Sequence, residues 1–118
     1  MQPKSPKLLE DVRDATEFIL EVTRAQSLES YLESRLLRQA VERNFEIIGE
    51  ALHRLSRTDP DVSAQVGEVP RIVAFRNMLI HGYDVLDHEV VWEVVKNDVP
   101  NLLKQIKALL AEVKINPR

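Results

Sequence analysis

A chain of 118 residues is long enough to bury one hydrophobic core without metal or disulfide support, and it predicts a single domain over residues 1–118. Hydrophobic residues make up 44% and charged residues 30%, with three glycines, which favours a helical protein over a disordered or all-β one. The formal net charge of -3 excludes a general nucleic-acid coat, and the absence of cysteine excludes disulfides, thiolate metal ligands and cysteine nucleophiles.

The start of the chain and the hydropathy pattern bear on location. Residues Met1 to Lys7 carry lysines and prolines and lead into no uninterrupted apolar run. No segment reaches the roughly 20 apolar residues of a membrane-spanning helix. We therefore expect a cytoplasmic protein that has no membrane partner.

The first predicted element is an amphipathic helix from about Ser5 to about Arg24. Its apolar positions recur every three or four residues after Pro6, with charged residues between them, so one face should pack on the rest of the protein. These positions are Leu8, Leu9, Val12, Ala15, Ile19 and Val22.

A second, longer helix follows. Ser27 is a candidate N-cap, and Ser30 with Glu33 offers an alternative capping box if the helix begins slightly later. Either start predicts one continuous helix to about Arg57, because Pro60 disfavours helical geometry just before it. Its apolar stripe consists of Leu37, Val41, Ile48, Ala51 and Leu55.

Two residues stand out within this second helix. Asn44 puts a polar amide in the apolar stripe, where it must find hydrogen-bond partners, since an unsatisfied amide costs about 1–3 kcal/mol in a core. Gly49 weakens the helix locally and would allow another helix to come close.

The segment from Asp59 to Glu68 is predicted to be an irregular connection. Pro70 then suits the first turn of a third helix that extends to about His81. Gly82 is a natural residue for ending that helix.

Two more helices complete the predicted fold. Asp87 is a candidate cap for a fourth helix, and Asp98 with Pro100 predicts a restart that separates it from a fifth. Short joints between helices predict an all-α, antiparallel four- to five-helix bundle. The apolar positions of the last two helices are Val91, Val94, Val95, Leu102, Leu103, Ile106, Leu110 and Val113.

The octet Arg76–Tyr83, RNMLIHGY, combines a fixed cation, an imidazole and a phenol at one helix end. The guanidinium of Arg76 can hold two phosphate oxygens through its planar fork. The imidazole of His81 can give or take a proton near neutral pH. The phenol of Tyr83 can be modified or can form hydrogen bonds. This combination suits chemistry on a phosphate.

Arg76 projects from the middle of the apolar stripe of the third helix. A guanidinium cannot lose its charge to escape burial, so Arg76 must meet a partner anion, a water-filled cleft or a ligand phosphate. Asn44 interrupts the stripe of the second helix in the same manner. We hypothesise that both residues face one shared polar cavity.

The spacing within the octet bears on how a site could be built. Asn77 and His81 are four residues apart and share a helix face, whereas Arg76 and His81 are five apart, about 140° on a regular helix. Either the last turn before Gly82 is distorted, or two chains bring their octets together across a two-fold axis. We favour the dimer and its composite cleft.

Structural interpretations of the same residues remain open. Arg76 can form a buried ion pair with a neighbouring Asp or Glu, and His81 can stabilise the C-terminus of its helix. The Glu50-x-x-His53 spacing is half of a carboxylate–histidine metal pattern whose other half is missing, so we predict no metal site.

Three separated motifs resemble the HepT-like branch of the HEPN superfamily. The octet matches the family's Arg, polar residue, short spacer and His, followed in this branch by Tyr. Residues 43–51, RNFEIIGEA, resemble its second-helix signature, and residues 91–93 with 98–100 resemble its C-terminal one. The resemblance covers roughly residues 11–110, and several motifs in the right order are far more specific than one R-x4-H match.

The resemblance implies a HEPN-like, homodimeric, metal-independent endoribonuclease that needs no cofactor and acts as the toxin of a toxin–antitoxin pair. It further implies an RNA substrate and a nucleotidyltransferase partner of the MntA type. His81 would be the general base or acid, Arg76 would stabilise the developing charge, and Asn77 would orient the phosphate or the imidazole.

By the same resemblance, Tyr83 is the hydroxyl to which the partner attaches AMP groups, which add negative charge and bulk and repel RNA. Asn44 and Arg43 are the candidate supporting residues of the cleft. The alternative is a noncatalytic helical module that binds a nucleotidyltransferase or a nucleotide, with Arg76 as a phosphate anchor. Binding of that kind should survive His81→Ala, whereas cleavage should not.

Overall fold

The computed structural model describes residues 1–67, 69–81 and 86–115, and the side chains of residues 1–67, 71–78 and 86–113. All the regular structure in these ranges is helical, which confirms the predicted all-α class. Four of the helices there are long and two are short. They are α1 (Ser5–Thr23), α2 (Leu28–Glu33), α3 (Arg35–Thr58), α4 (Pro60–Ser63), α5 (Val69–His81) and α6 (His88–Ile115).

The predicted continuous second helix is wrong, because a serine breaks it. Ser27 is the N-cap of α2, and its hydroxyl accepts a hydrogen bond from the Ser30 amide at 3.1 Å. Ser34 then adopts an extended conformation, and its hydroxyl accepts from the Leu37 amide at 3.1 Å. The serine side chain thus takes the place of a helical carbonyl, so α2 ends and α3 begins at the same residue.

Asp59 organises the joint after α3, where the sequence predicted an irregular connection and the structure has the short helix α4. The Asp59 carboxylate accepts hydrogen bonds from the Gln2 amide at 2.8 Å, the Ser5 hydroxyl at 2.7 Å and the Val62 amide at 3.4 Å. Burial alone would raise the pKa of Asp59, but these hydrogen bonds outweigh it and hold the pKa below its usual value. They also fix the start of α1 beside the end of α3, so the two helices are antiparallel.

The predicted break at Asp98 and Pro100 is also wrong, because α6 continues through Pro100. Asp98 does not cap a helix. Its carboxylate pairs with the Arg71 guanidinium on α5 at 3.2 Å. Asp87 does act as the predicted cap, since its carboxylate accepts from the Glu89 and Val90 amides at 3.0 and 3.3 Å.

The hydrophobic core lies between the long helices. Helix α1 packs on α3 and α6, and α3 also packs on α5. Buried apolar side chains from all four of these helices form one cluster, which includes Leu9, Ile19, Phe45, Ile48, Leu52, Ile72, Val94, Leu102 and Ile106. Among the helices that the structure describes, none is both long and apolar enough to cross a membrane. The cytoplasmic location stays a prediction.

Candidate active site on helices α3 and α5

Helix α5 is seated on α3 by buried apolar side chains. Ile72 is fully buried, and the ring of Phe75 meets the ring of Phe45 edge-on, with centroids 5.7 Å apart. These contacts put the next residue of α5, Arg76, directly against the backbone of α3.

Gly49 makes the approach of Arg76 possible. A Cβ atom added at Gly49 would lie 2.5 Å from the Arg76 Cβ and 2.9 Å from its Cγ. Contacts this short do not occur between carbon atoms, so only glycine fits at this position in the observed packing. The prediction that Gly49 admits another helix is confirmed, and the admitted group is the stem of the candidate catalytic arginine.

The Arg76 guanidinium is held by two neighbours. Its Nη2 pairs with the Glu50 carboxylate at 2.5 Å, and its Nη1 donates to the Asn77 side-chain oxygen at 3.1 Å. The Arg76 side chain is only 22% exposed, so the charge sits at the edge of the core with its counter-ion. Of the partners that the sequence allowed for Arg76, the structure therefore provides an anion from its own chain.

Glu50 joins two arginines. One carboxylate oxygen pairs with Arg76, and the other accepts from Nε of Arg54 at 2.9 Å. The hydrogen bond from Arg54 and the contact with Arg76 together outweigh partial burial and lower the pKa of Glu50. Sequence reasoning considered Glu50 only as half of a metal pattern with His53, whereas both of its oxygens are occupied by guanidinium groups.

The two candidate supporting residues, Asn44 and Arg43, are neighbours on α3. The Asn44 amide donates to the Ala40 carbonyl at 2.8 Å, and Arg43 pairs with Glu46 at 3.2 Å while its side chain stays 68% exposed. Each of these contacts stays within α3, so a cavity shared by Asn44 and Arg76 stays a hypothesis.

An open groove of about 280 Å³ runs between α1 and α3 beside the Arg76–Glu50 pair. Glu50 and Arg43 line it together, so one candidate supporting residue and the counter-ion of Arg76 face the same space. The other lining residues are Leu8, Asp11, Glu46, Ile47, Ala51 and Arg54.

The remaining two candidate residues lie partly or wholly outside the described part of the chain. His81 is the last residue of α5, and its side chain is not among those described; Tyr83 lies outside the described residues. Because α5 is α-helical from Arg76 to His81, the two Cα positions are separated by about 140° around its axis.

Sequence reasoning missed the role of Glu50 and a half-buried polar cluster in the first half of α3. There the Tyr31 ring packs on Trp92 with centroids 5.1 Å apart, and the Glu42 carboxylate lies 3.9 Å from Nδ1 of His88. Burial raises the pKa of Glu42, and the nearby His88 and Arg38 only partly offset this. The pairing of residues so far apart in sequence gave no local signal.

The all-α architecture of the described residues is consistent with a HEPN-like fold. The family model described as "Ribonuclease HepT-like" matches residues 12–109. The chain belongs to this HepT-like family of the HEPN superfamily.

Individual relatives agree with the family match. The chain is 36% identical over 103 residues to "Probable ribonuclease HepT" of Thermococcus cleftensis, covering 86% of this chain and 91% of the relative. It is 32% identical over 114 residues to "Putative RNase TTE0752" of Caldanaerobacter subterraneus subsp. tengcongensis, covering 94% of this chain and 99% of the relative. No solved structure matches the chain at a significant level.

Proposed function

We propose that the chain is a metal-independent endoribonuclease that acts as the toxin of a toxin–antitoxin pair. The observation that carries the proposal is the placement of Arg76. Its guanidinium is positioned by Gly49, Glu50 and Asn77 on the helix that ends at His81, in a chain of the ribonuclease HepT-like family. The relatives named as ribonucleases support an RNA substrate.

The proposed reaction is an attack of an RNA 2′-hydroxyl on the adjacent phosphate. The bond from the 2′-oxygen to phosphorus forms and the bond from phosphorus to the 5′-oxygen breaks, which leaves a cyclic phosphate and a 5′-hydroxyl. His81 takes the proton of the 2′-hydroxyl or supplies one to the leaving 5′-oxygen. Arg76 stabilises the charge that develops on the phosphate oxygens, and Asn77 orients the phosphate or the imidazole.

The ion pair with Glu50 is compatible with this role. A guanidinium has five N–H donors in a fixed plane, and the described contacts of Arg76 use two of them. Glu50 and Asn77 therefore fix the plane of the fork in advance and leave donors for a phosphate. Pre-positioning of this kind lowers the cost of reaching the transition state.

Two chains are proposed to form the complete cleft. The Cα positions of Arg76 and His81 lie about 140° apart around one helix, so groups from a second copy would complete each site across a two-fold axis. Arg43 and Asn44 are proposed to support the cleft from α3.

The proposed antitoxin is a nucleotidyltransferase of the MntA type that transfers AMP to Tyr83. The chain has two tyrosines, and Tyr31 is fully buried against Trp92. Modification of a tyrosine in the folded protein would therefore fall on Tyr83. The added phosphate would put negative charge at the end of the octet and repel RNA.

The test is cleavage of a mixed RNA pool in EDTA by the wild type, Arg76→Ala and His81→Ala, with Arg57→Ala as an exposed control. Cleavage by the wild type and Arg57→Ala alone, with cyclic phosphate ends, would support the proposal. An inactive wild type, or equal cleavage by all four proteins, would overturn it.

The Arg76–Glu50 ion pair also favours a second candidate, a noncatalytic module that binds a nucleotidyltransferase or a nucleotide. An arginine already paired within its own chain can serve structure rather than catalysis. Binding that survives His81→Ala in a protein without RNase activity would support this candidate.

A further inference from the structure

An apolar groove lies open between the C-terminal half of α1 and the first half of α3. Two large hydrophobic side chains on it are exposed to solvent, Leu36 at 83% and Phe18 at 41%. They line a space of about 370 Å³ whose other lining residues are Val22, Leu37 and Ala40, with the polar Gln26 and Ser34. Adjacent exposed apolar side chains on a small protein are typical of a surface that another molecule covers.

The charges that flank this apolar groove differ in sign on its two sides. Residues 13–21 of α1 carry one arginine and three carboxylates, whereas residues 35–43 of α3 carry three arginines and one carboxylate. Glu21 on the α1 side and Arg35 on the α3 side are both exposed. A surface that presents both signs side by side is complementary to a second copy of itself.

We infer that this apolar groove is the contact surface between two copies of the chain, related by a two-fold axis parallel to α1 and α3. The inference rests on the dimer in the proposed function and specifies the surface that forms it. Leu36 and Phe18 of the two copies fill the centre of the contact, and the charged flanks form its rim.

The charge pattern selects the direction of the axis. An axis parallel to the antiparallel helices stacks α1 of one copy on α3 of the other, so acidic residues face arginines. An axis perpendicular to the helices within the contact plane stacks α1 on α1, which sets carboxylates against carboxylates. Like charges facing each other in a contact are unfavourable, so the parallel axis is preferred.

The α1–α3 surface that contains the apolar groove continues to the candidate active site. Further along the α1–α3 surface lies the polar groove lined by Arg43 and Glu50, and Glu50 holds Arg76. Under an axis parallel to the helices, the two Arg76–Glu50 pairs lie at the same position along the axis, on opposite sides of the contact between the two copies. Both grooves therefore lie along the surface that the two copies share.

The first test measures molar mass by light scattering for the wild type, Leu36→Asp and Ala108→Asp. Position 36 lies in the first turn of α3, where an acidic residue is tolerated, and exposed Ala108 on α6 receives the same charge as a control. We expect two chains for the wild type and Ala108→Asp, and one for Leu36→Asp. A monomeric wild type, or a Leu36→Asp variant that stays dimeric, would overturn the inference.

The second test examines the pairing of charges. Glu21→Arg and Arg35→Glu should each weaken the dimer by about tenfold or more, since each change occurs twice across the axis. The double variant should recover most of the affinity, because it restores opposite signs. A double variant as weak as the two single changes combined would overturn the proposed axis.

Mass and cleavage distinguish the two proposals. An inactive wild type that forms a dimer through Leu36 overturns the proposed ribonuclease activity and supports the proposed contact surface. A wild type that cleaves RNA, together with a Leu36→Asp variant of the same molar mass, overturns the proposed contact surface and leaves the ribonuclease intact.

Discussion

Gly49 on α3 and Arg76 on α5 touch so closely that no side chain fits between them. An added Cβ would meet the Arg76 Cβ at 2.5 Å, an atom that cannot move unless α5 moves. The next residue, Glu50, binds the far end of the same arginine. Two consecutive residues of α3 therefore set both the depth and the orientation of one guanidinium.

Gly49→Ala should destabilise the protein and impair cleavage. Alanine gains about 1 kcal/mol in helix propensity, but overpacking against a fixed Cβ costs about 1–3 kcal/mol or more. We expect a net loss of up to about 2 kcal/mol in the free energy of unfolding, measured in urea.

Gly67→Ala is the matched control for this substitution. An added Cβ at Gly67 would meet only the end of the Gln105 side chain, at 3.1 Å, and that side chain can move. We expect a small effect there. Equal stabilities for the two alanine variants would contradict the tight Gly49–Arg76 packing.

Glu50→Gln should reduce cleavage more than it reduces stability. The Arg76–Glu50 pair is partly exposed, so its loss should cost less than about 1 kcal/mol of unfolding free energy. A misplaced guanidinium should lower kcat/KM by about 10- to 100-fold, measured on a defined RNA. Glu29→Gln, the same change at an exposed position on α2, is the control. Wild-type cleavage by Glu50→Gln would refute a positioning role.

These contacts mark the boundary of what the sequence could predict. Asp87 and Ser27 were identified as caps because a cap depends on neighbours within four residues. The Arg76–Glu50 pair joins residues 26 apart, and its existence depends on how α5 packs on α3. The position of Arg76 in an apolar stripe predicted that its charge has a partner, but the sequence did not show that this partner is Glu50.

Tertiary packing also explains the missed continuity of α6. Proline removes one backbone donor and disfavours a helix interior, so local rules predicted a break at Pro100. The buried residues Val99 and Leu102 on either side contribute to the common core, and their burial keeps the helix continuous. Between α2 and α3 the opposite occurred, since the Ser34 hydroxyl accepts the hydrogen bond of the Leu37 amide and so stabilises a break that the local pattern did not predict.

Asp59 should make stability sensitive to acid. Its pKa is lowered in the folded state, so its contribution is present above its unfolded value of about 3.8 and is lost as the pH falls through the folded value. Asp59→Asn removes this dependence. Urea denaturation from pH 7 to pH 2 should show a shallower acid loss for Asp59→Asn than for the wild type; parallel curves would contradict the assignment.

Glu42 should have the opposite effect. Its pKa is raised by burial, so the folded state holds a proton more tightly than the unfolded chain, and stability falls as the pH rises through the folded value. Glu42→Gln removes this penalty. The variant should be at least as stable as the wild type at pH 7, whereas exposed Glu29→Gln serves as the control. A large loss of stability in Glu42→Gln at pH 7 would show instead that the contact with His88 dominates.

Tyr83→Phe should keep RNA cleavage and abolish transfer of AMP, because it removes the acceptor oxygen alone. Tyr31→Phe is the matched control, since the Tyr31 phenol is buried against Trp92 and burial raises its pKa. The measurement is intact mass after incubation with ATP and an MntA-type nucleotidyltransferase, followed by an RNA cleavage assay. The wild type and Tyr31→Phe should gain AMP and lose activity, whereas Tyr83→Phe should stay unmodified and active. Transfer of AMP to Tyr83→Phe would refute Tyr83 as the acceptor.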